Sequence, residues 1–312
     1  MGELEDELQQ LRTSRADELR GLLREVEYDT RNLGLTISGR FLYLDFETGR
    51  PKLDELLDLM EESILEYCIP WSKRAGADAT RLADLRRKAA GLFVQKQGAR
   101  QRSGEPAELL LYLLTDVVLG APKVATKMWF KMHPNMVIHG ADGIHLRLDG
   151  ASGAEVYWGE AKLYGRLEAA MKSIAESIST SLPGAAGRIR DIDIVRDNCE
   201  LELSSSEARE HLMAVLDPYD DGQLRDTTVV EHRACFAGFD YPHLREVAAS
   251  GGRLVDGFAG RYSARVAEAC NAFALEAVGK GLGQLSFVLL LLPFESVAEL
   301  RTRFFERMDQ SR

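Results

Sequence analysis

Glu160 and Lys162 stand two residues apart in the run Trp158-Gly-Glu160-Ala-Lys162, and side chains two apart in a β-strand leave from the same face. A carboxylate beside an ammonium can hold a cation and steady developing negative charge. A divalent metal asks for a second carboxylate, and Asp142 is the candidate. The segment Asp149-Gly-Ala-Ser-Gly153 predicts a hairpin turn. A turn centred between Gly150 and Gly153 sets Asp142 opposite Ala161, between Glu160 and Lys162. Gly140 and Gly143, either side of Asp142, are weak strand residues of the kind that mark a bulge or a close backbone approach. Two carboxylates and a backbone carbonyl form the hard oxygen cage that Mg²⁺ or Mn²⁺ prefers. Such a metal would polarise a scissile phosphate and acidify a bound water. Lys162 would orient that water or neutralise the pentacovalent phosphate.

Glu108, in the first turn of an upstream helix, would join as a further ligand or as support if that helix crosses the sheet near the site. A glutamate there is also favoured by the helix dipole alone. His139 and His145 flank Asp142 and invite zinc, but no third ligand follows at zinc-like spacing, so histidines partly buried in a strand are the simpler expectation. Gly279-Lys-Gly-Leu-Gly lacks the spacing of a phosphate loop. Asp217-Pro-Tyr-Asp-Asp-Gly lacks the alternating acids of a calcium loop, and Asp191-Ile-Asp193 has no neighbouring lysine.

The elements that must position these residues can be laid out from periodicity. Ser103-Gly-Glu-Pro opens a helix that carries Leu109 to Leu114 and ends at Gly120. Val124–Met132, Met136–Leu148 and Glu155–Leu163 follow as strands, then a helix through Leu167, Ala170, Met171, Ile174 and Ile178 stops before Pro183. Downstream, strand patterns at Ile189–Val195, Thr227–Phe239 and Leu285–Leu292 alternate with helical ones at Ser205–Leu216, Tyr262–Val278 and from Ser296. Upstream, residues 3–29 look like one charged helix, Phe41–Phe46 a strand, and the stretches after Pro51 and over 78–95 amphipathic helices. The polar loop Gln97–Gly104 suggests a boundary between a mostly helical accessory region, residues 1–100, and a core of residues 101–312. The fold class expected is α/β, a mixed sheet flanked by helices.

The formal charge of −10 argues against a protein that simply coats nucleic acid. Its distribution qualifies that. Between Arg86 and Lys131 nine lysines and arginines stand against three acids. Lys96, Arg100, Arg102, Lys123, Lys127 and Lys131 would grip flanking phosphates of DNA, or form no more than a solvated face. The acidic stretch 191–226 would suit a protein partner. Cys68, Cys199, Cys235 and Cys270 are scattered singly, as in reduced cytoplasmic proteins. No secretory leader is evident, and the longest apolar run, Leu285–Pro293, is too short for a membrane span.

The run Gly140-Ala-Asp142-Gly-Ile, then Trp158-Gly-Glu160-Ala-Lys162 and a helix, resembles the restriction-endonuclease-like core of the PD-(D/E)xK superfamily, with Ala141 where the eponymous proline would stand. Asp142, Glu160, Lys162 and Glu108 fall on that family's catalytic positions. Residues 105–180, with Gly-Ala-Asp-Gly-Ile-His145 and Glu160-Ala-Lys162, resemble the HamA family more narrowly, the nuclease subunits of the Hachiman anti-phage defence pair, whose domain AbpA shares. That resemblance implies a Mg²⁺- or Mn²⁺-dependent DNase held in check by a superfamily 2 helicase, HamB, and released by DNA damage or phage replication. A regulatory subunit that binds DNA or a partner through a degenerate nuclease fold is the alternative, and a scaffold without any nucleic-acid role is a third.

Overall fold

The computed structural model describes residues 2–31, 33–93, 97–126, 128, 141–149, 153–181, 195–196, 199, 202–216 and 228–312. Expectations for Lys96, Lys127, Lys131, His139, Asp191 and Asp193 lie outside them.

Phe287, Val288, the four leucines 289–292 and Phe294 leave Ser286–Phe294 no polar face, and such a continuous apolar strand must be covered on both sides. It is the ninth strand, β9, and it lies inside a seven-stranded sheet in the order β1-β2-β9-β8-β7-β6-β5. The strands are β1 Leu23–Val26, β2 Thr36–Leu44, β5 Lys123–Ala125, β6 Ile144–Asp149, β7 Gly153–Tyr164 and β8 Thr228–Asp240; β3 Phe46–Glu47 and β4 Arg50–Pro51 form a separate small ribbon. The middle of the sheet, β2-β9-β8-β7, is parallel, while β1, β6 and β5 run antiparallel to their neighbours. Helices cover both faces. Val288, Leu290 and Leu292 pack with the helices Leu53–Cys68, Glu105–Leu119 and Val297–Gln310, whereas Phe287, Leu289 and Leu291 pack with Leu167–Ser181 and Val255–Gly279.

This is the mixed α/β architecture expected from the alternation of elements. Two upstream segments differ from it. The charged N-terminal stretch is not one helix but two, Gly2–Leu11 and Ala16–Leu22, followed by β1. The break occurs where Asp116 takes the Thr13 N–H at 2.6 Å and the Arg12 Nε at 3.2 Å, and pairing with β2 then claims Leu23–Val26. Strands β1 and β2 therefore extend the same sheet as the residues beyond 100. The N-terminal helix is held by a second acid as well: Glu7 accepts from Ser204 N, Ser205 N and Ser204 Oγ at 2.6–2.8 Å, just ahead of the helix Ser206–Leu216.

Candidate active site

Strand β7 alternates. Tyr157, Ala161 and Leu163 point into the layer of the Glu105–Leu119 helix, and Ala154, Val156 and Trp158 into the opposite one. Glu160 and Lys162 share the parity of Trp158, so they leave the sheet together on that second face. There they form an ion pair, with 13% and 23% of their side chains exposed.

Asp142 reaches them by a route that simple hairpin arithmetic misses. The hairpin closes with Asp149 opposite Gly153 and Ile144 opposite Trp158, a three-residue connection that shifts the register by one from the expected one. Continued, that register would set Asp142 opposite Glu160 rather than Ala161. The ladder then slips: Asp142 N donates to Gly159 O at 2.9 Å, while Gly159 N donates to Gly143 O at 2.8 Å. Two residues thus face one, the pattern of a β-bulge. The bulge turns the Asp142 carboxylate across the strand, where Oδ2 accepts the Ala161 N–H at 2.8 Å. Gly159 is required by this approach. A Cβ there would stand 2.7 Å from Leu111 Cδ2 and 3.0 Å from Gly143 O.

Burial raises the pKa of Glu160, and the nearby Asp142 carboxylate raises it further, against the opposing pull of Lys162 and a hydrogen bond from Ser177. Burial pulls the Lys162 ammonium down, but Glu160 and then Asp142 outweigh it, so its pKa lies above the ordinary lysine value. Lys162 is therefore a cation at neutral pH, suited to stabilising negative charge rather than to accepting a proton.

Glu108 enters from the first turn of the Glu105–Leu119 helix, a helix closed by Gly120 in the left-handed region at φ 71°. It shares with Asp142 the neighbourhood of the Tyr67 phenol, whose pKa is pushed well up by burial and then by Glu108, Cys68 and Asp142. All four candidate residues, Asp142, Glu160, Lys162 and Glu108, line one open cleft of about 1010 Å³. Among the described residues no three His, Cys, Asp or Glu side chains are already gathered as a metal-binding group.

The expected cations divide. Arg102 lines the cleft. Arg100 is turned to Asp309, with both guanidinium contacts at 2.6 Å and its centre 5.2 Å from the Phe305 ring. Lys123 is not a surface cation at all: it is 2% exposed, 2.8 Å from Glu202, and donates to Glu66 O and Tyr67 O. Two arginines that charge counting passed over take their places, Arg233 on β8 and Arg301 on the C-terminal helix. Arg233 lies in register with Trp158, its guanidinium 5.6 Å from that ring. Arg301 donates to Ser103 O at 3.1 Å and to Leu163 O. Tyr164, next on the Glu160–Lys162 face, also lines the cleft and was legible from strand parity. His145 is buried, its Nδ1 2.9 Å from Ala121 O, and burial takes its pKa down to about 4, so it is a neutral structural histidine.

A mixed sheet covered on both faces, with acids and a lysine converging on an open cleft beside its parallel centre, defines an α/β protein with a charged, solvent-reachable site. The chain belongs to the HamA family, whose sequence pattern matches residues 23–308, and that family implies a role in Hachiman anti-phage defence. No curated protein and no solved structure matches the chain.

Proposed function

We propose that the chain is a metal-dependent DNase of the PD-(D/E)xK type and the effector of a Hachiman-like defence complex. The observation that carries this reading is the convergence of Asp142, Glu160, Lys162 and Glu108 on one cleft from three separate elements. The order of elements supports it too: the helix Glu105–Leu119, three antiparallel strands β5, β6 and β7, the helix Leu167–Ser181, then β8 parallel to β7.

The donor set suits Mg²⁺ or Mn²⁺. Asp142 and Glu160 are carboxylates close enough to raise the pKa of one of them, and a divalent cation between them would relieve that repulsion. Glu108 would ligate further or steady the site. When bound, the metal supplies Lewis acidity toward the scissile phosphate and its attacking water. Lys162 neutralises charge as it builds on the phosphate, and the Ala161 N–H fixes the Asp142 carboxylate. Arg102, Arg233 and Arg301 hold neighbouring phosphates. A superfamily 2 helicase of the HamB kind is the controlling partner in this reading.

A second reading, a regulatory subunit with a degenerate nuclease fold, draws on the ion pair that already engages Glu160 and on the lack of a preassembled ligand group among the described residues. Incubating the purified protein with plasmid and linear DNA, with and without Mg²⁺ and with and without its helicase, separates the two. Cleavage that disappears in Glu160→Ala and Lys162→Ala is expected. Absence of cutting under every condition, or undiminished cutting by those variants, sinks the nuclease reading.

A further inference from the structure

The large hydrophobic side chains left exposed among the described residues are Tyr164, Val230, Leu254, Leu275 and Val278, and Tyr164 is the aromatic one. It is 41% exposed, and it lines the cleft. Its place follows from strand parity. Glu160, Lys162 and Tyr164 recur every second residue on one face of β7, so each step along that face is about 7 Å, the scale of one nucleotide. Lys162 and Arg301 are both electrostatic neighbours of the phenol.

The ring is held in place rather than packed away. Tyr164 Oη lies 3.3 Å from Ser173 Oγ on the helix Leu167–Ser181, a long hydrogen bond that positions the phenol without covering its face. The same helix lines the cleft with Ser173, Ser177 and Thr180, small polar side chains that leave room for a planar group, and with the carboxylate of Glu176. The strand end is fixed by Asp240, whose N–H donates to Gly165 O at 3.3 Å.

Resting on the nuclease reading above, we propose that Tyr164 is a stacking platform for a nucleobase beside the scissile phosphate, which makes single-stranded DNA the substrate of this cleft. A phosphate at Lys162 leaves the adjoining base within reach of the ring, and a base inside a duplex, covered on both faces by its neighbours, is not free to stack on a side chain. Stacking is sequence-tolerant because every base has a π-face, so the subsite selects strandedness and not sequence. Removal of an aromatic platform of this kind weakens single-strand binding by roughly tenfold.

The test uses the full chain with Ca²⁺ for binding and Mg²⁺ for cutting. Three probes are compared: a single-stranded oligonucleotide, its blunt duplex, and the same single strand with one abasic position. Tyr164→Phe should keep most of the wild-type binding and its response to the abasic position, because it keeps the ring and loses only the long hydrogen bond to Ser173. Tyr164→Ala should bind the single strand roughly tenfold more weakly, with less change on the duplex, and should no longer respond to the abasic substitution that weakens wild-type binding. Single-strand binding by Tyr164→Ala equal to wild type, or an abasic penalty that persists in it, overturns the stacking role and leaves the nuclease reading standing. Tyr164-dependent binding with no cleavage by the chain, either alone or with its helicase, supports the platform and removes the nuclease. A wild-type chain that neither binds nor cuts DNA, alone or with its helicase, overturns both.

Discussion

Gly159→Ala tests whether the bulge at Asp142 is what assembles the site. The added methyl would lie 2.7 Å from Leu111 Cδ2, a side-chain end that can rotate, but also 3.0 Å from Gly143 O and 3.3 Å from Gly143 N, which are backbone. Ordinary Cβ contacts begin near 3.4 Å, so the Asp142-Gly143 segment must retreat by about 0.4 Å. Overpacking of this size costs about 1–3 kcal/mol, which for a chain of this length lowers Tm by about 2–6 °C. The functional cost is larger in proportion. The retreat stretches the Asp142 N–H to Gly159 O bond and moves the carboxylate away from Ala161 N, and displacements approaching 1 Å cost roughly 100-fold in rate. A fall of at least roughly tenfold in Mg²⁺-dependent cleavage is expected, measured beside a thermal melt. Gly257→Ala is the control, since a Cβ there meets nothing within 4 Å and alanine favours its helix. Should Gly159→Ala melt and cut like wild type, the close approach at Gly159 does not set the geometry of Asp142.

His145, whose pKa burial takes to about 4, binds its proton more weakly in the folded chain than in the unfolded one, near 6.5. Its contribution is fully present above pH 6.5 and lost as pH falls toward 4; the loss is about 2 kcal/mol by pH 5, and His145→Gln should flatten that part of a stability-against-pH curve followed by denaturant titration. Lys123→Met strands the Glu202 carboxylate, 1% exposed, and should cost about 3–5 kcal/mol in chemical denaturation. Arg100→Ala, which breaks a pair with the half-exposed Asp309, should cost about 1 kcal/mol or less; equal losses in the two variants would contradict the burial assigned to Lys123.

What could be read in advance was local. Period-two alternation placed Glu160 and Lys162 on one face, and the glycines around Asp142 signalled the bulge that brings it across. The register itself was off by one because turn composition does not distinguish a two-residue from a three-residue connection. The basic stretch was misjudged at Arg100 and Lys123 for a different reason. A count of charges along the chain cannot see that Asp309 and Glu202, distant in sequence, will claim them. Arg233 and Arg301 escaped notice for the same cause in reverse, since only the pairing of β7 with β8 and the packing of the C-terminal helix bring them to the cleft. The helix periodicity of residues 3–29 lost to contacts made over a hundred residues away, at Asp116.

Those contacts at Asp116, with those at Glu7, bear on where the folding unit begins. The stretch recognisable by kinship starts at residue 23, yet Asp116, wholly enclosed, depends on Arg12 and Thr13, and the loop before Ser206 depends on Glu7. Shorn of its first 22 residues, the chain would keep every strand of the sheet and forfeit the counter-ion of an interior acid. The border drawn by ancestry and the border drawn by electrostatics are therefore different, and a fragment cut at the first would inherit the family's site inside a body that must take up a proton to close.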